Sequence, residues 1–437
     1  MFSKISSFFR VKERGSTVKT EVLAGITTFI AMAYILFANS HILGVTGMDQ
    51  TAVLVGTAIA AGIGTLLTAF LANAPLAQAS GMGLNAYFTF SIVQGMGYTW
   101  EQALAMVFIS GLLFLAITLS PLRKKVIEMI PASLKNAISV GIGLFITLIG
   151  LLNSGIVSAN DNLLSLNLAG GPQLITIIGL FVTFALLLLK VKGAILLGIV
   201  TSTIVALFTG VTSLPASIAL SDISLAPIFM KMDFNLLTLG VLPLLTAIFS
   251  LALVDMFDTI GTLVGTASKV GMVDGKGNLV DGDSDKVLLA DAIATCAGAC
   301  VGVSTVTTYV ESIAGIEQGG RTGLTNVVVG LLFFLSVLLA PIAGIVPASA
   351  TAPALIIVGI LMMSNIGKID WADPEVAIPA FLTIVMMPFA YSISDGIGIG
   401  FIAYVFVKLI MRKAKDIHWL LWIVSVLFLV KYLLPLF

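Results

Sequence analysis

Three acidic residues lie within long apolar runs of the sequence, where ionisable side chains are rare. Asp255 and Asp258 are three residues apart in one run, and Glu311 lies in another. Residues three or four apart share a helix face, so Thr262 extends the face of the two aspartates. Burying a carboxylate in a membrane is costly, and such residues are functional candidates by default. With no Lys or Arg deep in these runs, a buried carboxyl can bind and release a proton near neutral pH.

The same acids favour a ligand of particular chemistry. Carboxylates without a basic partner accept hydrogen bonds from N–H groups and repel anions. An uncharged heterocycle with amide-like edges would suit them. The alternative is that they bond only to nearby backbone or hydroxyl groups, and for Asp255 the two interpretations are evenly matched.

The composition identifies the surroundings of these acids as a membrane. Of 437 residues, 58% are hydrophobic and only 10% are charged, and the mean hydropathy is +1.12. Soluble domains carry about 25% charged residues, so a soluble enzyme is excluded. The net charge of zero argues against nucleic-acid binding. Continuous rather than alternating apolar runs exclude a membrane β-barrel.

No metal or other cofactor is expected. Cys296 and Cys300 are four residues apart in an apolar run, which matches neither a disulfide framework nor a metal site. Aspartates between residues 274 and 285 lack the ligand spacing of an EF-hand and are interpreted as a solvated turn. A nucleophile paired with a base, as a hydrolase would need, is not found, so no enzyme is predicted.

The apolar runs predict an all-α membrane protein with fourteen core spans, at about 20 residues per span. The first run, 20–45, is too long for a signal peptide and is interpreted as a retained helix. Two short spans, 77–96 and 303–320, are interrupted by small or polar residues. A further segment, 417–436, is either an extra crossing or an in-plane helix. The other spans are predicted at 51–72, 100–120, 131–153, 170–189, 193–211, 234–268, 286–302, 322–343, 350–367, 374–392 and 395–412.

Basic residues predict the orientation. Residues 1–19 carry five Lys or Arg, and Arg123–Lys125 and Lys190 follow after even numbers of spans. The segment 153–171 carries none and falls on the opposite side. Because cytoplasmic loops are rich in Lys and Arg, we expect a multi-pass plasma-membrane protein with a cytoplasmic N-terminus.

The two halves of the chain resemble each other weakly. Three short motifs recur in the same order at offsets of 219, 216 and 218 residues: Gly111–Phe114 with Gly330–Phe333, Pro131–Ser133 with Pro347–Ser349, and Val140–Ile142 with Val358–Ile360. Only the first copy contains Arg123–Lys125, so the copies face opposite sides. This predicts a 7+7 inverted repeat over 20–213 and 234–412, an arrangement typical of secondary transporters.

The third span of each half contains an interruption at a matching position. Gly81 and Gly83 break the first, and the β-branched run Val303–Thr308 favours a short strand in the second. Irregular backbone at membrane depth needs protein or a wet cavity to satisfy its polar groups. We therefore predict that the two extended pieces pair and that the half-helices after them offer N–H groups to a ligand. The alternative is ordinary glycine-mediated helix packing.

Four segments resemble the AzgA-like purine permeases, the adenine, guanine and hypoxanthine permeases of the nucleobase–cation symporter-2 group. They are Thr27–Ile35, Ser80–Phe88, Val254–Leu263 and Thr307–Ser312, and the likeness runs over nearly the whole chain. The resemblance implies a 7+7 fold with a core and a gate domain. It also implies proton-coupled import of purine nucleobases by alternating access.

The resemblance assigns roles to individual residues. Asp258 and Glu311 would bind the base and carry the proton, and Asn85 would belong to the third-span part of the site. Related uracil and xanthine permeases carry a His where Thr262 stands, so the acids, Asp255 included, remain the proton carriers. Other expected site residues are Gln78, Ser80, Gly81, Thr308 and Tyr309, with Thr28, Phe29 and Ala31 as a wall. An anion transporter of sulfate-permease-like architecture and a passive nucleobase channel are the alternatives, and the chain could assemble as a homodimer.

Overall fold

The computed structural model describes residues 6–120, 129–160, 163–214, 223–270 and 283–433. Within these ranges, nine helices are long and apolar enough to cross a membrane, and three apolar helices are shorter. The chain is thus a multi-pass helical membrane protein. The fourteen-span count stays a prediction, and both Arg123–Lys125 and most of the acidic turn at 274–285 lie outside the described residues.

Within the described ranges, the first half consists of α-helices with short strands between them. They are α1 (Val18–Met32), α2 (Ile35–Gly44), α3 (Gln50–Ala72), β1 (Gln78–Ser80), α4 (Met82–Ala86), α5 (Trp100–Leu119), α6 (Ala132–Asn153), β2 (Val157–Asn160), β3 (Leu163–Leu166), α7 (Gly171–Leu188) and α8 (Ala194–Phe208). A π-helical stretch, Tyr87–Gly95, extends α4. Polar residues start several helices: the Asp49 side chain accepts from the Ala52 amide at the start of α3.

The second half repeats this order. It comprises α9 (Val241–Val270), α10 (Asp283–Cys300), β4 (Val306–Thr308), α11 (Ser312–Glu317), α12 (Gly323–Ser336), α13 (Ala348–Met363), α14 (Pro374–Phe389), α15 (Ile393–Ile410) and α16 (Trp419–Leu433). Stretches of 3₁₀-helix extend α12 and α13, at Val337–Ile345 and Ser364–Lys368.

The interruptions in the two halves pair with each other. Strands β1 and β4 are antiparallel, with Gln78 opposite Thr308 and Ser80 opposite Val306. Every residue of both strands is buried. The predicted pairing is confirmed, and it satisfies backbone groups that a helix would otherwise have bonded internally. A second antiparallel strand pair, β2–β3, was not predicted.

The helices pack in two groups. Helices α1–α5 pack with α9–α12 around the strand pair, and we call this group the core bundle. Helices α6–α8 pack with α13–α15, and we call this group the gate bundle. Glycines allow close approach within the gate bundle: a Cβ on Gly143 of α6 would lie 2.9 Å from the carbonyl oxygen of Gly359 on α13.

The C-terminal helix α16 runs antiparallel to α15. It starts shortly after α15 ends, yet Lys431 in its last turn bonds Asp395 in the first turn of α15 at 2.7 Å. Phe428 also packs against Gly398. Because α16 runs back along a membrane span, the structure favours segment 417–436 as an extra membrane crossing rather than an in-plane helix.

Candidate substrate site

The candidate site lies where β1 and β4 meet, and each strand end is fixed to the other strand. After β1, the Gly81 amide donates to the Thr305 carbonyl at 3.1 Å. A Cβ on Gly81 would lie 2.8 Å from Cγ2 of Thr307, so only glycine fits. After β4, the Tyr309 hydroxyl donates to the Ser80 carbonyl at 2.5 Å. The strands therefore hold the two half-helix starts in a fixed relation.

Asp258 and Glu311 approach this point from different elements. Asp258 lies on α9, whereas Glu311 is the N-cap residue of α11. Both residues are half-buried, and their carboxyl groups lie close enough to interact electrostatically. Two acids from separate elements thus lie near each other beside the strand pair.

A tyrosine orients Glu311. The Tyr34 hydroxyl donates to Oε1 of Glu311 at 2.7 Å, and Tyr34 is buried in the break between α1 and α2. Hydrogen bonds to a charged acceptor are about twice as strong as neutral ones. This bond fixes the orientation of the Glu311 carboxylate beside the strand pair.

Asn85 supplies a hydrogen-bond donor next to these acceptors. Its side chain is fully buried, and its Oδ1 accepts from the Ser80 hydroxyl at 2.8 Å. Its Nδ2 has no partner among the described residues. An unsatisfied buried donor costs about 1–3 kcal/mol, so an acceptor on a ligand would be stabilising here.

Gln78 and Thr308 lie across the strand pair from each other. Gln78 Nε2 donates to the Thr308 hydroxyl at 3.3 Å. The Gln78 backbone bonds the Thr65 hydroxyl through both its amide, at 3.0 Å, and its carbonyl, at 2.9 Å. These bonds fasten β1 to α3 and make the floor of the site rigid.

The predicted wall residues of the first span are placed differently from one another. Thr28 packs against Gly315 of α11, and Phe29 contacts Phe333 of α12 edge-on at 5.1 Å between ring centroids. Ala31 and Thr262 are half-buried on α1 and α9. A role for these four residues in binding stays a prediction.

Sequence reasoning missed two members of this region. Tyr34 lies in the segment Thr27–Ile35 but is not among the site residues expected from the sequence. Asp291 on α10 is fully buried, so the expectation of three acids within the spans is wrong: it is a fourth. The Asp-x-x-x-Thr spacing shared by Asp255–Thr259 and Asp291–Thr295 was the available signal. In the described part of the chain, no group of three or more His, Cys, Asp or Glu could hold a metal ion.

The core and gate bundles make contacts on both sides of the site. Near one end, Lys192 Nζ donates to Gln318 Oε1 at 2.5 Å, and Lys135 Nζ lies 5.2 Å from the centroid of the Phe257 ring. Near the other end, the Ser250 and Ser394 hydroxyls are 3.1 Å apart. These are some of the contacts that join the two bundles, and a movement of one bundle against the other would have to break them.

Comparison with known proteins adds sequence relatives over the whole chain. The sequence profile described as the permease family (Xan_ur_permease) matches residues 19–399. The adenine permease AdeP of Escherichia coli is 41% identical over 433 residues, 97% of this chain and 94% of that protein. The guanine/hypoxanthine permease PbuG of Bacillus subtilis is 41% identical over 440 residues, 98% of this chain and 99% of that protein.

Solved structures with the same fold are more distant in sequence. The transmembrane domain of the cyanobacterial bicarbonate transporter BicA superposes with a TM-score of 0.65 at 17% identity, covering 86% of this chain and 96% of that one. The murine anion transporter Slc26a9 gives 0.65 at 12% identity, covering 90% and 68%. The likeness confirms the predicted inverted-repeat fold, while the count of fourteen spans stays a prediction. It carries no information about the substrate.

Proposed function

The chain belongs to the permease family and is a transporter rather than an enzyme, and from this premise we propose that it imports purine nucleobases. The relatives named as adenine and guanine/hypoxanthine permeases support this substrate class. The import would be coupled to protons and cross the plasma membrane, with the N-terminus in the cytoplasm. We also propose that the chain assembles as a homodimer.

The observation that carries the proposal is the combination of acceptors and donor beside β1 and β4. Glu311 Oε2 and Asp258 would accept N–H groups of the base, and the unpartnered Asn85 Nδ2 would donate to a ring nitrogen or carbonyl. A purine presents both kinds of edge, so it would complement all three side chains. Gln78, Ser80, Gly81, Thr308 and Tyr309 would shape the floor, and Thr28, Phe29, Ala31 and Thr262 the surrounding wall.

The charge of the site argues against the anion-transporter alternative. Asp258 and Glu311 lie together, and within the described ranges no Lys or Arg forms an ion pair with either. An anion brought against two carboxylates would be repelled, whereas a neutral base bearing N–H groups would be attracted. The acids Asp258, Glu311 and Asp255 are our candidates for proton coupling.

Movement of the core bundle against the gate bundle would give alternating access. The site lies between the two interrupted spans, where transporters of inverted-repeat design bind their substrates. The contacts Lys192–Gln318 and Ser250–Ser394 join the two bundles. Breaking one set while keeping the other would open one side at a time, which a passive channel would not require.

The direct test is uptake of labelled adenine, guanine and hypoxanthine by Glu311→Gln. Glutamine keeps an oxygen for the Tyr34 hydroxyl, so the protein should fold, but its amide no longer accepts N–H groups as a carboxylate does. We expect uptake to be nearly abolished. Glu13→Gln is the control, because the Glu13 side chain is 73% exposed.

Asp258→Asn should lose accumulation of the base against its gradient. Full uptake by Glu311→Gln would refute the assignment of the site. Uptake by Asp258→Asn that kept its dependence on external pH would argue against the proton role of Asp258. Competition by sulfate or bicarbonate, but not by purines, would favour the anion transporter. Uptake by the unmodified protein that does not saturate and ignores a protonophore would favour the channel.

A further inference from the structure

Behind β4, helices α9 and α10 exchange hydrogen bonds through the same Asp-x-x-x-Thr spacing. The Thr295 hydroxyl of α10 donates to Asp255 Oδ2 of α9 at 2.8 Å. The Thr259 hydroxyl of α9 donates to Asp291 Oδ2 of α10 at 2.6 Å. Both aspartates are buried, with 1% and 0% exposed. We call Asp255 and Asp291 the aspartate pair.

The same two hydroxyls hold strand β4. The Val306 amide donates to Thr295 Oγ1 at 3.1 Å, and the Thr308 amide donates to Thr259 Oγ1 at 3.1 Å. The Thr259 hydroxyl thus accepts from the strand while it donates to Asp291. The Thr295 hydroxyl also accepts from the strand, and it shares its single proton between Asp255 and the Val306 carbonyl, 3.1 Å away. The aspartate pair is connected to both ends of β4 through one side chain at each end, and β4 leads directly to Glu311.

The aspartate pair has few other partners. Asp291 Oδ1 is buried without a hydrogen-bond partner among the described residues. Asp255 Oδ1 is also buried, and the Thr305 hydroxyl is the group that faces Asp255 there. The titratable groups that interact electrostatically with the pair are Asp258 on α9 and Cys296 on α10. Neither is basic. Of the two other helices that pack against α10, α3 carries no titratable side chain, and α5 carries only Glu101 in its first turn.

Two carboxylates in this setting cannot both stay ionised. Burying one ion costs several kcal/mol, and a second like charge beside it adds repulsion. One proton removes a charge and turns a carboxylate oxygen of the pair into a donor. The pair is therefore built to hold a proton, and its environment differs from that of the half-buried Asp258 and Glu311.

We propose that Asp255 and Asp291 together hold the coupling proton, at a site behind β4 that is separate from the acids facing the base. This rests on the proposed function as a proton-coupled importer, and of the acids named there as candidates for proton coupling it selects Asp255, together with Asp291, in place of Asp258 and Glu311. When the proton leaves, both threonine hydroxyls are drawn to the charged pair, and their bonds to the β4 amides change with them. The strand then transmits the state of the pair to Glu311 without contact between proton and base.

The test uses the purified full chain in liposomes and the variant Asp291→Asn. Asparagine keeps an oxygen for the Thr259 hydroxyl, and its amide can donate towards Asp255, so it imitates the protonated pair. We expect wild-type binding of adenine, guanine or hypoxanthine and wild-type counterflow without an ion gradient. Accumulation driven by a pH gradient should be lost. The concentration of the base inside the liposomes should then equal the concentration outside.

Asp49→Asn is the matched control, because Asp49 caps α3 and asparagine is an equally good cap. It should accumulate the base as the wild type does. Accumulation by Asp291→Asn at the wild-type level would overturn the proposal, and so would accumulation driven by sodium at equal pH. Loss of purine binding in a folded Asp291→Asn protein would overturn the separation of the two sites.

A second measurement does not depend on the folding of Asp291→Asn. Infrared spectra of the Asp258→Asn/Glu311→Gln double variant should still show the band of a protonated carboxyl near neutral pH. Its absence would overturn the proton assignment to the pair. Failure of the wild type to bind any of the three bases would instead refute the proposed function, and the infrared result would then stand by itself.

Discussion

Replacing Tyr34 with phenylalanine removes a single hydroxyl that donates to Glu311 Oε1 at 2.7 Å. The ring can stay in place, because Tyr34 is packed in the hydrophobic core and is only 1% exposed. The substitution therefore tests the bond and not the packing. Without the hydroxyl, the Glu311 carboxylate is free to rotate, and its orientation beside the strand pair is no longer fixed.

A hydrogen bond to a charged group contributes about 1.5–3 kcal/mol. If binding of the base depends on this orientation, Tyr34→Phe should raise the dissociation constant by about 10- to 150-fold, since 1.4 kcal/mol corresponds to a factor of ten. The same factor should appear in the KM of uptake. The maximal rate should change less, because the acid itself is retained.

The assay is equilibrium binding of a labelled purine to the purified protein, followed by uptake kinetics. Tyr98→Phe is the matched control: Tyr98 is 2% exposed, and its hydroxyl has no partner among the described residues. It should bind the base like the wild type. Equal affinities for all three proteins would refute the orienting role of Tyr34. Tighter binding by Tyr34→Phe would show that the base displaces the hydroxyl.

Three further predictions concern the support of the site. Thr295→Val should lower the free energy of unfolding in mixed micelles by about 2–5 kcal/mol, because the Val306 amide and Asp255 both lose their partner. Glu21→Ala should lower it by about 2–6 kcal/mol, because two buried donors, the Arg321 amide and the Thr325 hydroxyl, lose their acceptor. It should not change which purines compete, because Glu21 is not among the proposed site residues. A C-terminal epitope should be accessible from outside intact cells, as expected if α16 crosses the membrane.

Each of these has a control. Thr203→Val should change stability by less than about 1 kcal/mol, because the Thr203 hydroxyl bonds only a carbonyl of its own helix, at 2.8 Å. Glu21→Gln should lie between the wild type and Glu21→Ala, since it keeps one acceptor. An N-terminal epitope should be reached only in permeabilised cells. Equal losses for the two threonine variants, or a C-terminal epitope found only inside, would contradict the reasoning.

Most helix positions could be predicted from the sequence, because bilayer thickness determines the length of a span and hydropathy determines where it lies in the chain. Predicted 51–72 and 131–153 correspond to α3 and α6, which begin at Gln50 and Ala132. The break at Ala33–Tyr34 was not predicted, since no proline or glycine marks it. Its cause is tertiary: Tyr34 reaches an acid 277 residues away in sequence.

The site residues also divide into those that the sequence predicts and those that depend on contacts between distant parts of the chain. Asp258, Glu311 and Asn85 could be identified because polar residues at membrane depth are costly and therefore rare. Asp291 was overlooked, since it follows Asp283, Asp285 and Lys286 and looked like the charged end of a span. Only the hydroxyl exchange with α9 distinguishes it, and hydrogen-bond partners on another helix cannot be read from one sequence.

The β1–β4 pair also has a consequence for how the protein is made. Gln78 and its partner Thr308 are 230 residues apart, so β1 enters the membrane long before its partner strand is synthesised. Until then its backbone must be satisfied by water, by the Thr65 hydroxyl or by the insertion machinery. Ribosome-bound or truncated chains that end before Val306 should therefore be incomplete folding intermediates, and closing this long-range pair should be a late step in biogenesis.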